Sequence, residues 1–298
     1  MKTTKVFVLF LFLLTVFVVV YAEDPGKDTT YKLLTTIPMP NLTGFDISWV
    51  DSEVGRYYLA DRGNATVTPA IPPAIDVIDT RHNKFLFAIT GFVGPNGVVA
   101  IHGGDDEDDD RPNSGELWVG DNPATGGVSS VKVVDLAHPS ALPVSIPTGG
   151  TGRSDELAFD PKDQVILVAN DRAADLFVTF ISTKTRMILG KIKYVGTVPG
   201  NPKATGGIEQ PVWDGAKGRF YLSIPATDVN PKGEVDEIDP KAMKITRMFP
   251  TTCGPAGLAL IPGQRLITSC GDVLDIATGK VLHTVTPLPL VSVVNRRC

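Results

Sequence analysis

Apolar and polar residues alternate in short runs along most of the chain, and one order of runs recurs five times. The modules open at Gly44-Phe45-Asp46-Ile47-Ser48-Trp49, Gly97-Val98-Val99-Ala100-Ile101, Ser154-Asp155-Glu156-Leu157-Ala158-Phe159, Gly207-Ile208-Glu209-Gln210-Pro211-Val212-Trp213 and Gly254-Pro255-Ala256-Gly257-Leu258-Ala259-Leu260. A second run follows each opening: Tyr57–Asp61, Leu117–Asp121, Ile166–Asn170, Phe220–Ile224 and Leu266–Cys270. A third run ends in an Asp-bearing turn, as at Ile75–Thr80, Val131–Asp135, Val235–Asp239 and Val273–Gly279, and a fourth closes the unit, as at Lys84–Ile89, Met187–Ile192 and Lys280–Val285. Alternation of period two predicts half-buried strands, because successive side chains of a strand point to opposite faces. Four strands per repeat, at a spacing of about 47 to 57 residues, predict the blades of a β-propeller. No apolar face of helical period occurs after the first 22 residues, so helix is expected to be almost absent from an all-β fold.

Closure of the ring is the irregular part of the pattern. Tyr31–Pro38 reads as an outer fourth strand that precedes the first complete module, whereas after the fifth module only Leu290–Val294 reads as strand. The expectation is five complete blades and an incomplete sixth position, with the ring either closed by an irregular join or left open in a C-terminally truncated relative of longer propellers.

The remaining features place the chain outside the cell. Lys2 and Lys5 precede an apolar run, Val6–Val20, that is too short for a membrane span and ends in Tyr21-Ala22. This is the pattern of a signal peptide cleaved after Ala22, which leaves residues 23–298 as one secreted domain with no further membrane span, expected to act as a monomer. A formal net charge of −5 and 7% aromatic residues give neither a basic stripe nor stacking platforms, which excludes nucleic acid as a partner class. The acidic run Asp105–Asp110 reads as a solvated loop, with attraction of calcium as the second reading. Cys253 and Cys270 flank a hairpin pattern turning at Pro262-Gly263 and are expected to form a disulfide, leaving Cys298 over. Asn41 and Asn64 open two N-glycosylation sequons.

The third-strand runs Val77–Thr80 and Val273–Gly279 resemble those of the YVTN/lactonase-like β-propellers. More narrowly, Glu209-Gln210-Pro211-Val212-Trp213-Asp214 is similar to the Glu-Gly-Pro-x-Trp opening of the gluconolactonase/regucalcin (SMP-30-like) propellers, with Gln210 in place of the glycine and in the fourth module rather than the first. That resemblance implies a divalent cation, calcium, held in the central channel by Glu209.

In a propeller the first strand of each blade lines the channel, so polar residues at one mouth converge on the axis. First-strand entries supply Asp46, Asp155, Glu156 and Glu209; the ends of second strands supply Asp61, Asp121, Asn122, Asn170 and Asp171. Two readings stand for these residues: ligands of a hard cation, or side chains that bond their own tight turns. The first makes Glu209, Asn170 and Asp121 the metal ligands of a calcium-dependent lactonase, with Glu156 or Asp171 as catalytic base. The leading expectation is instead a secreted propeller that binds a small molecule or a protein partner at the channel mouth. A truncated paralogue without activity is the third. His82, His102, His138 and His283 stand singly, without metal-ligand spacing.

Overall fold

The computed structural model describes residues 32–102, 114–171 and 176–285. The expected signal peptide, the acidic run, Leu290–Val294 and Cys298 lie outside these residues. The chain divides into two compact units. In Met1–Thr36 the described residues, 32–36, hold no strand; Ile37–Cys298 holds all twenty described strands.

The twenty strands form five four-stranded antiparallel sheets in simple up-and-down order. Blade one contains β1 (Phe45–Asp51), β2 (Arg56–Asp61), β3 (Ala74–Asp79) and β4 (Lys84–Ile89). Blade two contains β5 (Pro95–Ile101), β6 (Glu116–Asp121), β7 (Ser130–Asp135) and β8 (Val144–Pro147). Blade three contains β9 (Arg153–Asp160), β10 (Val165–Asp171), β11 (Phe177–Ser182) and β12 (Ile188–Lys193). Blade four contains β13 (Pro211–Asp214), β14 (Arg219–Ile224), β15 (Glu234–Asp239) and β16 (Lys244–Pro250). Blade five contains β17 (Leu258–Ile261), β18 (Arg265–Thr268), β19 (Asp272–Asp275) and β20 (Lys280–Thr284).

Strand-ending aspartates hold the hairpins. Asp79 Oδ1 accepts from the backbone N–H of Arg81 and His82 (2.9 and 3.0 Å), and Asp239 Oδ1 from Lys241 and Ala242 (2.9 and 3.0 Å). Asp160 and Asp214 do the same at the first hairpins of blades three and four. Such Asx turns satisfy backbone donors that the ladder leaves unpaired, which explains why Asp recurs at these positions.

Four apolar clusters pack consecutive blades. Tyr58, Ile75 and Val77 of blade one meet Val98, Leu117 and Val119 of blade two, and Trp118 and Val133 of blade two meet Ile166 and Val168 of blade three. Leu167 and Phe180 of blade three meet Phe220 and Leu222 of blade four, and Tyr221 and Phe249 of blade four meet Leu266 and Leu274 of blade five. Each fully buried Leu contributes about 1.5–3 kcal/mol over its exposed state. Among the described residues no such cluster joins blade five to blade one, and Trp49, Val50, Ala259 and Leu260 stay exposed.

The expected strand at Tyr31–Pro38 is not formed: residues 32–38 carry no strand, and Leu33 and Leu34 are exposed. An apolar alternation becomes a strand only beside a hydrogen-bonded neighbour, and no described strand pairs with this segment. The first strands of blades four and five are also shorter than their openings, since β13 starts at Pro211 and β17 at Leu258. Cys253 and Cys270 are disulfide-bonded with Cα atoms 6.1 Å apart, as their spacing predicts.

Candidate functional site

The five first strands, β1, β5, β9, β13 and β17, together line a central cavity of about 760 Å³. Its walls are mostly apolar: Ile47, Val98, Ala100, Leu157, Val212 and Leu258, with the aromatic rings of Trp49, Phe159 and Trp213. Glu156 and Gln210 are polar residues of the wall at the end where the first strands begin; Glu53 and His102 lie toward the other. Gln210 is turned by its own backbone contact, its Oε1 accepting from Leu258 N–H at 2.8 Å.

Where the first strands begin and the second strands end, a polar network crosses three blades. Arg153 Nη2, on β9, donates to Asp155 Oδ2 at 2.5 Å and to Asp171 Oδ2 at 3.0 Å, and its Nη1 lies 3.6 Å from Asp46 Oδ2. Arg62, one residue beyond β2, also donates to Asp46, and reaches Asn96 Oδ1 at 2.5 Å. Asn96 in turn donates to Asn122 Oδ1 (3.0 Å) and to the Ser154 carbonyl (2.9 Å). Glu209 joins the cluster beside Gly207. A Cβ placed on Gly207 would lie 2.7 Å from Asp171 Oδ1 and 3.4 Å from Glu209 Oε1, and its φ of +96° is one that side chains disfavour. Only glycine lets the chain pass this close to both carboxylates.

Electrostatics follow from crowding. Burial pushes the Asp155 carboxyl up to about 8; Asp46, Glu209 and Asp171 add to the shift, and Arg153 opposes it. Glu156 is also raised, first by burial and then by Asp155, Glu209 and Asp46. Its side chain is almost fully enclosed, and its Oε2 has no hydrogen-bond partner among the described residues. A buried carboxyl without a partner is costly in its charged form, so both effects favour the neutral acid.

The structure brings together Asp46, Asp155, Glu156, Asp171 and Glu209, ties Asn122 to the same network through Asn96, and sends Asp61, Asp121 and Asn170 elsewhere. Asp61 Oδ1 accepts from Gly63 N–H at 2.8 Å, and Asp121 Oδ1 from Val93 and Gly94 N–H at 3.0 and 2.8 Å, so both hold loops. Asn170 is fully buried: Nδ2 donates to Thr148 Oγ1 and Oδ1 accepts from Thr179, each at 2.8 Å. The Asp121 and Asn170 oxygens are thus engaged by donors outside the cluster around Glu209. Among the described residues no group of three or more His, Cys, Asp or Glu side chains is arranged to hold a metal. Among the described residues, Arg62 and Arg153 bring positive charge to the carboxylates of the mouth.

Arg62, Asn96 and Arg153 are the members of the network that the repeat pattern does not single out. The available signal is an arginine beside a mouth aspartate, in Asp61-Arg62 and in Arg153-Ser154-Asp155. His102 is half-buried: its Nε2 faces Asp51 Oδ2 at 2.6 Å and its Nδ1 the Ser114 carbonyl at 3.0 Å, clasping blade one to blade two. Of the two sequon asparagines, Asn41 is exposed in a turn, while Asn64 is half-buried and accepts from Thr66 N–H at 2.9 Å.

No protein-family model matches the sequence, and no curated protein matches it. Among solved structures, the chain is similar to one in the crystal structure of a nidogen/laminin complex, with a TM-score of 0.52 and 13% identity over 78% of this chain and 76% of that one. It is also similar to Kuenenia stuttgartiensis hydrazine synthase, with a TM-score of 0.54 and 14% identity over 77% of this chain; it spans 64% of that chain's length. At such identity these likenesses support the propeller-type fold alone and do not reach the narrower families that the sequence resembles.

Proposed function

We propose that this chain is a secreted β-propeller that binds a small, largely apolar molecule in its central channel. The observation that carries the reading is the cavity of about 760 Å³ walled by the first strands of all five blades. Its size and character, apolar walls with few polar groups, match the sites that enclose small organic ligands. The export signal read at residues 1–22 puts such binding outside the cell.

The test is a fluorescence titration of the purified protein with the neutral apolar probe N-phenyl-naphthylamine. The reading predicts saturable one-site binding that weakens by about tenfold or more in Ile47→Trp and Ala259→Trp, which fill the channel from half-buried or exposed wall positions. Absence of binding by the folded protein, or binding indifferent to both substitutions, contradicts it.

A further inference from the structure

We infer that a single proton, held between Glu234 and Asp236, keeps the joint between blades three and four shut, and that this joint loosens as pH rises. The inference is independent of the channel-binding reading.

Glu234 and Asp236 stand two residues apart on β15, paired with Ile224 and Leu222 of β14. Directly paired strand residues share a face, so both acids point with those apolar side chains into the cluster that joins blade four to blade three. Each is 0% exposed. Tyr194, one residue beyond β12 and itself buried, brings its hydroxyl to Asp236 from the blade-three side. The three side chains thus meet inside the joint.

The surrounding groups fix where the proton sits. Glu234 Oε2 accepts from Asn230 Nδ2 and, at 3.4 Å, from Thr227 Oγ1, which favours its charged form. Among the described residues no nitrogen donor bonds either oxygen of Asp236. No described cation enters the joint either. Leu167, Ala169, Val178 and Phe180 of blade three are apolar, and β16 sets Met248 and Pro250 beside the pair. Arg247 turns to Glu237, one residue off the acids' face, and Lys193, Lys203 and Lys232 on adjoining segments are exposed. Asp228, in the loop before β15, adds negative charge near Glu234. Burial, then the charge of Glu234, holds the Asp236 carboxyl well above the ordinary range, with the Tyr194 hydroxyl opposing. Burial also raises Glu234, but Asn230 and Thr227 pull it back. Asp236 is therefore the acid of the pair and Glu234 the acceptor.

The neighbouring joint shows the contrast. At the same strand position in blade three, Thr179 donates to Asn170 Oδ1, and Asn170 donates to Thr148 Oγ1, each at 2.8 Å. Those partners are neutral at every ordinary pH. Parting blades three and four instead returns Asp236 to water, where an aspartate ionises near pH 4. Opening releases one proton, so its equilibrium constant rises about tenfold per pH unit from that value up to the raised one of the closed joint. The joint is tightest in acid and weakens toward alkali.

The test is thiol trapping of Val178→Cys, a buried position inside the joint that reagent reaches when the blades part, with Val119→Cys between blades one and two as the reference. Labelling is read by peptide mass and divided by the rate of the unfolded chain at the same pH. From pH 6 to pH 7 the Val178→Cys rate is expected to rise about tenfold, and the Val119→Cys rate clearly less. Adding Asp236→Asn, which has no proton to lose, is expected to remove most of that rise. A rate at Val178→Cys that does not change with pH overturns the inference without recourse to the second substitution. An equal rise at both positions assigns the effect to global unfolding and overturns it too, as does a rise that survives Asp236→Asn.

Discussion

Replacing Arg153 with methionine keeps the length and apolar stem of the side chain while removing the charge that three carboxylates share. The ion pairs lie at 2.5 Å to Asp155, 3.0 Å to Asp171 and 3.6 Å to Asp46, and the Asp155 and Asp171 side chains are only 2% and 3% exposed. Breaking a buried pair by deleting one partner costs about 3–5 kcal/mol, a large part of the roughly 5–15 kcal/mol that holds a domain folded. The cost must depend on pH. Asp155 already has a folded-state pKa of about 8, far above its unfolded value, so the folded protein binds protons that the unfolded chain releases. Without Arg153 the folded value of Asp155 rises further, because the guanidinium is the group that holds it down. Stability of the variant relative to the parent therefore falls as pH rises, from a loss near the lower figure in mild acid toward the upper one in mild alkali. Urea unfolding of both proteins at about pH 6 and about pH 8.5, at constant ionic strength, measures this directly. A loss below about 1 kcal/mol at both pH values, or one larger in acid than in alkali, refutes the argument.

Three other outcomes follow from the same structure. Changing Cys253 and Cys270 together to alanine reopens a loop with a sequence separation of 17, and should cost about 3 kcal/mol in chemical denaturation. Gly120→Ala should destabilise the protein by about 1–3 kcal/mol or more in a thermal melt, because a Cβ there would lie 2.2 Å from the Asp155 carbonyl and 2.5 Å from that of Ser154, with backbone on both sides and no side chain to yield. The His102 ring is raised above its ordinary pKa chiefly by its bond to Asp51. Its stabilising contribution is whole below about pH 6.5 and lost as pH rises through the raised value, so His102→Gln should cost more at pH 6 than at pH 9; an equal cost at both ends counts against the charged clasp.

The parts of this fold that can be read from the chain are those set by local chemistry. The five modules show because each strand alternates with period two and each hairpin needs its own turn residue, as Asp79, Asp160, Asp214 and Asp239 supply. The disulfide shows because a short hairpin separates its cysteines. The carboxyl cluster is half legible: position within a blade puts Asp46, Asp155, Glu156 and Glu209 at one mouth, since every first strand begins there. Its arginines are not, because each also reaches into another blade, Arg62 to Asn96, 34 residues away, and Arg153 to Asp46. Asp121 and Asn170 share the sequence position of mouth residues, yet their oxygens go to Val93, Gly94 and Thr179. Only the path of the neighbouring loop decides that. Tyr31–Pro38 has the pattern of a strand, yet its described residues, 32–38, pair with no described strand.

The central claim, that the channel holds a small apolar molecule, is tested most directly by contact quenching with bromodecanol, whose heavy atom dims only an indole that it touches. Of the three tryptophans, Trp49 and Trp213 line the cavity and Trp118 is buried between blades two and three. The account predicts saturable quenching of the parent protein and none in the Trp49→Phe, Trp213→Phe double variant, where Trp118 alone emits. Quenching that persists undiminished in the double variant, or its absence from the parent, would contradict the account.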